Sequence, residues 1–261
     1  MQTHDQTAAW LLDQHSNKSD FIPFAQSHGI MDVDSAYAVQ DAYVRKMQQS
    51  GLGAIRGWKI GLTSKRMQAM CGIDQPVAGA ILASRVYPSN SQVSHARFGR
   101  LGLEFEICTR LGADLPPRNG PWSFAEVQAA VDGVAAAVEL IDDRKADYTL
   151  LEVQALIADN SWNAGVILGN WTSPPADLNA LEGVVTLNGA ELDRGFGRDV
   201  LDGPLHVLHW LANHLRARKK GLFAGEIVMT GSLITTSFPE AGSHYCFELG
   251  DLSRVELQVG V

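Results

Sequence analysis

Apolar positions recur at helical spacing early in the chain and at strand spacing later. Ala36, Val39, Ala42, Tyr43 and Met47 share one helical face after Asp34-Ser35, a pair able to cap an N-terminus. Residues 1 to about 50 therefore read as helical, and Gly51 and Gly53 stop the run. A strand is expected over residues 55–60, and Gly61-Leu62-Thr63-Ser64 opens a short helix that ends near Gly72. The stretch from about 85 to 113 is strand-like, centred on Leu103-Glu104-Phe105-Glu106-Ile107. Ser123-Phe124-Ala125-Glu126 has the form of a capping box and starts a helix that Gly133 can end. The apolar run 134–141 follows as a strand. Residues 166–168 and 183–187 read as strands, the second closed by the hairpin turn Asn188-Gly189. Asp202-Gly203-Pro204 begins the last long helix, with Leu205, Leu208, Leu211, Ala212 and Leu215 as its stripe and Gly221 and Gly225 after its end. Strands at 226–229 and 245–249 precede an alternating tail over 255–259. Strands outnumber helices in the last two-thirds and do not alternate with them regularly. This predicts an α+β or mainly β core, not a doubly wound sheet.

The chemistry sits where that pattern is broken. Strand side chains alternate faces, so Glu104 and Glu106 point one way while Leu103, Phe105 and Ile107 pack the other. Two carboxylates about 7 Å apart on one face repel unless a cation lies between them. A third, Glu139, stands in Val138-Glu139-Leu140 with Ala135 and Ala137 nearby, so a half-solvated strand does not explain it. An unpaired buried carboxylate costs several kcal/mol, and such groups pair with a cation or ligate a metal. Three oxygen donors without His or Cys suit Mg²⁺ or Mn²⁺. For Glu104 and Glu106 alone, the solvated face of an antiparallel sheet stays open as the plainer explanation. Lys59, in Gly57-Trp58-Lys59-Ile60-Gly61, either snorkels to water or points inward and needs anionic company.

Composition removes several classes of function. With 261 residues, 46% hydrophobic and 19% charged, the chain has the profile of an ordered globular protein. A net charge of −8 and a single basic cluster, Arg216-Ala217-Arg218-Lys219-Lys220, at an expected helix C-terminus argue against nucleic acid. No run approaches about 18 apolar residues, and Met1-Gln2-Thr3-His4-Asp5 does not open a signal peptide. Cys71, Cys108 and Cys246 are odd in number and unclustered, which suits reduced thiols in a cytoplasm. Neither a Gly-x-Ser-x-Gly elbow nor a Walker A loop is present. Gly51-x-Gly53-x-x-x-Gly57 follows a helix and precedes a strand, the reverse of a phosphate loop. His206, His209 and His214 lack partners at ligand spacing and are expected on a helix surface.

Five segments in order carry a family resemblance. They are Gly57-Trp58-Lys59-Ile60-Gly61-Leu62-Thr63-Ser64-Lys65, Gly72-Ile73-Asp74-Gln75-Pro76-x-x-Gly79, Glu104-x-Glu106, Val138-Glu139-Leu140-Ile141-Asp142-Asp143-Arg144 and Ala158-Asp159-Asn160-Ser161-x-Asn163-Ala164-Gly165. A late Gly225-Glu226-Ile227-Val228-Met229-Thr230-Gly231 completes the series. The chain resembles the 2-hydroxypenta-2,4-dienoate hydratases and 4-oxalocrotonate decarboxylases, within the fumarylacetoacetate hydrolase superfamily. The resemblance implies that Glu104, Glu106 and Glu139 bind one Mg²⁺ or Mn²⁺, with Lys59 beside it and Asp74 as a further acid/base. It implies that Ser161 holds the substrate carboxylate and that Thr230 lines the pocket. It also implies a mixed β-roll or sandwich over residues 54–261, a helical N-terminal arm over 1–53, and a cytoplasmic homo-oligomer. A complex with a pathway paralogue stays open.

The implied activity is addition of water to a 2-hydroxy-2,4-dienoate, giving a 4-hydroxy-2-oxo acid in meta-cleavage catabolism. Its partner is a small 2-oxo or 2-hydroxydienoic acid, neither nucleic acid nor membrane. Decarboxylation of a 2-oxo-3-enedioate is the first alternative, because it uses the same enolate. A scaffold subunit and a carbon–carbon bond hydrolase are others, although the arm offers the hydrolase only His4, His15 and His28. Asp202-Gly203-Pro204 stands where the family usually has Gly-His-Pro. The loop from Arg144 to Asp159 is short, and residues 115–122 are elaborated, changes that bear on the substrate tail.

Overall fold

The computed structural model describes residues 3–261. Three helices come first: α1 (His4–Ser16), α2 (Ala25–His28) and α3 (Val33–Met47). Then follow β1 (Ile55–Gly61), α4 (Lys65–Met70), β2 (Val77–Leu82), β3 (Val86–Pro88), β4 (Ser91–Ser94) and β5 (Leu101–Leu111). The middle of the chain gives α5 (Phe124–Ala129), β6 (Val131–Asp142), α6 (Val153–Ala158) and β7 (Asn163–Leu168). The last part gives β8 (Glu182–Leu187), β9 (Ala190–Phe196), α7 (Pro204–Ala217), β10 (Ile227–Ser232), β11 (His244–Leu249) and β12 (Ser253–Gly260).

The strands form two open mixed sheets, ordered β2-β1-β10-β5-β6-β7-β3 and β4-β12-β11-β8-β9. Phe105 on β5 packs its ring against Tyr245 and Phe247 on β11, joining the two sheets through the core. The expected α+β fold, with mixed sheets and helices at its N-terminus, is the one observed. Ala8 and Leu11 of α1 and Ala36, Val39, Tyr43 and Met47 of α3 belong to the same core cluster as the strands. Among the described residues, no helix is long and apolar enough to cross a membrane.

Three local expectations are corrected. The cap of α3 is Asp32, not Asp34-Ser35; its Oδ1 accepts the Ser35 N–H at 2.7 Å, and Ser35 Oγ answers the Asp32 N–H. The helix opened by Ser123 ends at Ala129, so Gly133 lies inside β6. A Cβ at Gly133 would meet Arg110 Nη2 at 3.2 Å and the Trp171 ring, so the glycine serves packing across the strand. On α7, Val207 is buried and Leu205 only half-buried, because the buried stripe is rotated slightly from the one expected.

Candidate metal centre

The register of the long sheet brings the acidic residues together. Glu104 on β5 is directly opposite Glu139 on antiparallel β6, and Glu106 is two residues along the same face. The other face of β5 holds Leu103, Phe105 and Ile107, none of them exposed. Alternation alone therefore turns the two β5 glutamates away from the core between the sheets. β6 is buried along nearly its whole length, and Glu139 with it. Glu106 and Glu139 are fully buried and Glu104 is partly so, which sets aside the solvated-sheet explanation.

One oxygen from each glutamate lies within 4.8 Å of one from each of the others. Lys59 reaches in from β1, its Nζ 3.4 Å from Glu139 Oε2 and 3.9 Å from Glu104 Oε2. Room for the lysine comes from Gly79, its pairing partner on β2, where a Cβ would stand 3.2 Å from Lys59 Cγ. Glu104 Oε1 accepts from Thr236 Oγ1 at 2.8 Å, and Glu139 Oε1 accepts from Asn163 Nδ2 at 2.9 Å. Glu106 Oε2 accepts the Gly231 N–H at 2.7 Å. The ladder between β10 and β5 shifts register between Met229 and Ser232, and Gly231 there has φ 109°. That irregularity frees its N–H for the carboxylate, and any side chain at Gly231 would strike Thr63.

Charge is out of balance. Burial pushes the Glu106 carboxyl well above its usual range, reinforced by Glu139 and Glu104 and opposed by Lys59 and the Gly231 N–H. Burial also pushes Glu139 up to about 7, against the pull of Lys59. For Lys59, burial alone would favour the neutral amine, but the three glutamates outweigh it and hold the ammonium charged. With all three carboxyls ionised, the cluster and the one ammonium carry a formal excess of two negative charges. Glu106 Oε1 is buried and has no hydrogen-bond partner, and Glu139 Oε2 is buried with only the Lys59 ammonium near it, at 3.4 Å. A divalent cation fits both facts: it cancels the excess and engages these oxygens, and the donors are all hard.

A cavity of about 550 Å³ opens beside the cluster, with Lys59, Glu104, Ser161 and Arg66 on its wall beside apolar Ile60, Leu156 and Trp162. Ser161 Oγ is buried and has no partner. It is carried on a turn in which Asn160, Ser161 and Trp162 all adopt left-handed backbone, at φ 52°, 49° and 59°. Each such residue costs roughly 1–3 kcal/mol, so the turn persists only because its surroundings hold it. Asn160 contributes by donating to the Ala80 carbonyl and accepting the Ala80 N–H.

Of the residues singled out from sequence, Lys59, Glu104, Glu106, Glu139 and Ser161 meet at or beside this cavity. Asp74 does not; it is exposed in the turn before Pro76 and is absent from the cavity wall. Thr230 is buried behind the wall, and its hydroxyl donates to the Ile107 carbonyl at 2.7 Å. Asn163, Gly231 and Thr236 also hold the glutamates, although the sequence pattern does not single them out. The first two stand within quoted motif segments, which was the available signal; nothing local marks Thr236.

Residues 37–261 match the model of the fumarylacetoacetate (FAA) hydrolase C-terminal family. The chain is 31% identical over 261 residues to a 2-oxo-hept-4-ene-1,7-dioate hydratase of Escherichia coli, covering 97% of this chain and 96% of that one. It is 31% identical over 253 residues to a 2-keto-4-pentenoate hydratase of Paraburkholderia phymatum, covering 95% and 94%. Among solved structures, it is similar to the 4-oxalocrotonate decarboxylase from Pseudomonas putida G7 complexed with magnesium and adipate. That likeness has a TM-score of 0.91 at 26% identity and covers 99% of each chain.

Proposed function

The chain belongs to the FAA hydrolase family, and on that premise we propose that it is a metal-dependent hydratase of 2-hydroxy-2,4-dienoates. The observation that carries the proposal is the meeting of three oxygen-donor carboxylates with a buried lysine beside a substrate-sized cavity. The hydratase names of the relatives support the reaction class. Glu104, Glu106 and Glu139 would hold the ion, Mg²⁺ or Mn²⁺ by the hardness of their oxygens. A cation bound there supplies positive charge against the negative charge that grows on the C2 oxygen of a 2-oxo acid as it enolises.

The protein's own groups divide the remaining work. Ser161 offers a hydroxyl that no protein group uses, suited to a substrate carboxylate oxygen. Lys59 would move the proton. Its ammonium is held charged by the glutamates against burial, which alone would favour the neutral amine. Ile60, Leu156 and Trp162 would give the substrate's carbon chain an apolar wall. Ketonisation of the dienol makes C4 electrophilic, and water added there yields a 4-hydroxy-2-oxo acid. Asp74, outside the cavity, is given no step.

Release of CO₂ from a 2-oxo-3-enedioate is the second reading, favoured by the likeness to the P. putida decarboxylase. Incubation with a panel of dienoates and enedioates, with and without EDTA, separates the two by product mass. Gain of one water, lost with EDTA, is expected. Loss of CO₂ from the enedioate without hydration of any dienoate overturns the proposal. Absence of any metal-dependent thermal shift with oxalate would point instead to a scaffold subunit.

A further inference from the structure

We infer that His15, on the helix before the family-matched region, is a positioning residue that holds Ser161 in the cavity through the buried Asp159. The inference rests on the reading of the cavity as a 2-oxo acid site. Ser161 Oγ has no protein partner, so its place is set by its backbone alone. That backbone is the left-handed turn 160–162, which closes on Asp159 by the Trp162 N–H donating to the Asp159 carbonyl at 3.0 Å.

Asp159 is clamped on both carboxylate oxygens. His15 Nε2 lies 2.6 Å from Oδ1, and Arg144 Nη2 donates to Oδ2 at 2.8 Å. Arg144 is itself buried; its Nη1 donates to the Ser19 carbonyl at 3.1 Å, and its own carbonyl accepts the Phe21 N–H at 2.7 Å. Two elements thus meet on one buried carboxylate, carried by the residue on which the turn closes. The fully buried packing of α1 lies away from His15. The buried side chains of that helix are Thr7, Ala8 and Leu11, all before its last turn, and His15 keeps 22% of its side chain exposed. Its ring lies nearly parallel to Tyr43, with centroids 5.9 Å apart, which fixes the direction of the hydrogen bond. The early helices therefore supply a brace to the site and not only a cover for the core.

The test uses the full chain loaded with Mn²⁺, with oxalate as the probe of the cavity. His15→Ala is expected to raise the oxalate Kd about tenfold, since small displacements of a positioning group are costly. The Mn²⁺ Kd should stay within about twofold, because Lys59, Gly231 and Thr236 hold the glutamates from other elements and only Asn163 follows the turn. His15→Gln, which can still donate to Asp159, should restore most of the affinity. His15→Phe retains the ring against Tyr43 without the hydrogen bond and covers the case in which the alanine variant fails to fold; it should lose affinity as alanine does. If wild type binds oxalate and both His15→Ala and His15→Phe bind it equally well, the inference is overturned. A parallel loss of Mn²⁺ and oxalate binding together with a lowered unfolding midpoint overturns it too, by making His15 merely structural. If wild type binds Mn²⁺ but not oxalate, the cavity reading itself fails and takes the inference with it.

Discussion

Lys59 Nζ stands 3.4 Å from Glu139 Oε2, although β10 and β5 lie between their strands in the sheet. The ammonium is the one basic side chain that reaches the acidic cluster among the described residues. Lys59→Met should therefore lower kcat by about 10²–10⁴-fold, the usual cost of losing a general acid/base. Divalent-ion affinity should hold or rise, because a competing positive charge has gone. Steady-state kinetics beside a metal titration would check both halves, and retained turnover would remove Lys59 from the mechanism.

Stability in EDTA should fall as pH rises. The Glu139 carboxyl titrates near 7 in the folded protein against an ordinary 4.5, and Glu106 is displaced the same way. A carboxyl with a raised folded pKa holds an extra proton in the folded state between the two values, so folding weakens through that interval. The loss should run from about pH 4.5 to 7 and then level off for Glu139. Adding Mg²⁺ should reverse the trend, since the cation binds the ionised form and its affinity grows with pH. Thermal unfolding scans at pH 5, 6, 7 and 8, with EDTA or Mg²⁺, would show it; a flat midpoint across the series in EDTA would contradict the burial argument.

Gly79→Ala should harm both stability and activity. The new Cβ would stand 2.6 Å from the Asn160 carbonyl oxygen and 3.2 Å from Lys59 Cγ, so both the strained turn and the lysine must shift. Overpacking of this kind costs about 1–3 kcal/mol. A lower unfolding midpoint with reduced kcat/KM is expected, whereas Gly72→Ala, strained by its left-handed φ of 65° but with nothing within 4 Å of its Cβ, should lose stability and keep kcat/KM. Equal behaviour of the two variants would argue that Gly79 does not shape the site.

Much of this was legible in sequence because it is local. The two-residue alternation around Glu104 and Glu106 fixes which side chains share a face, and apolar neighbours on both sides of Glu139 disclose its burial. The Asn188-Gly189 hairpin turn and the Ser123 capping box are likewise set by neighbours within four residues. The pairing of Glu104 with Glu139 is a matter of register between strands, which no local pattern encodes. Asn163 and Gly231 as partners of the buried glutamates depend on that register, and His15 against Asp159 joins residues 144 apart through helix docking. Asp74 shows the opposite limit: its motif position brought it forward, but the turn before Pro76 leaves it in solvent.

The most direct measurement is calorimetric titration of Mn²⁺ into EDTA-treated, dialysed protein, for wild type and for Glu106→Gln and Glu139→Gln. One ion per chain is expected for wild type. Each variant should bind about 100-fold more weakly, because a charged oxygen ligand and the balance of the site are both lost. Wild-type affinity in both variants, or no binding by wild type, would show that these glutamates do not share an ion.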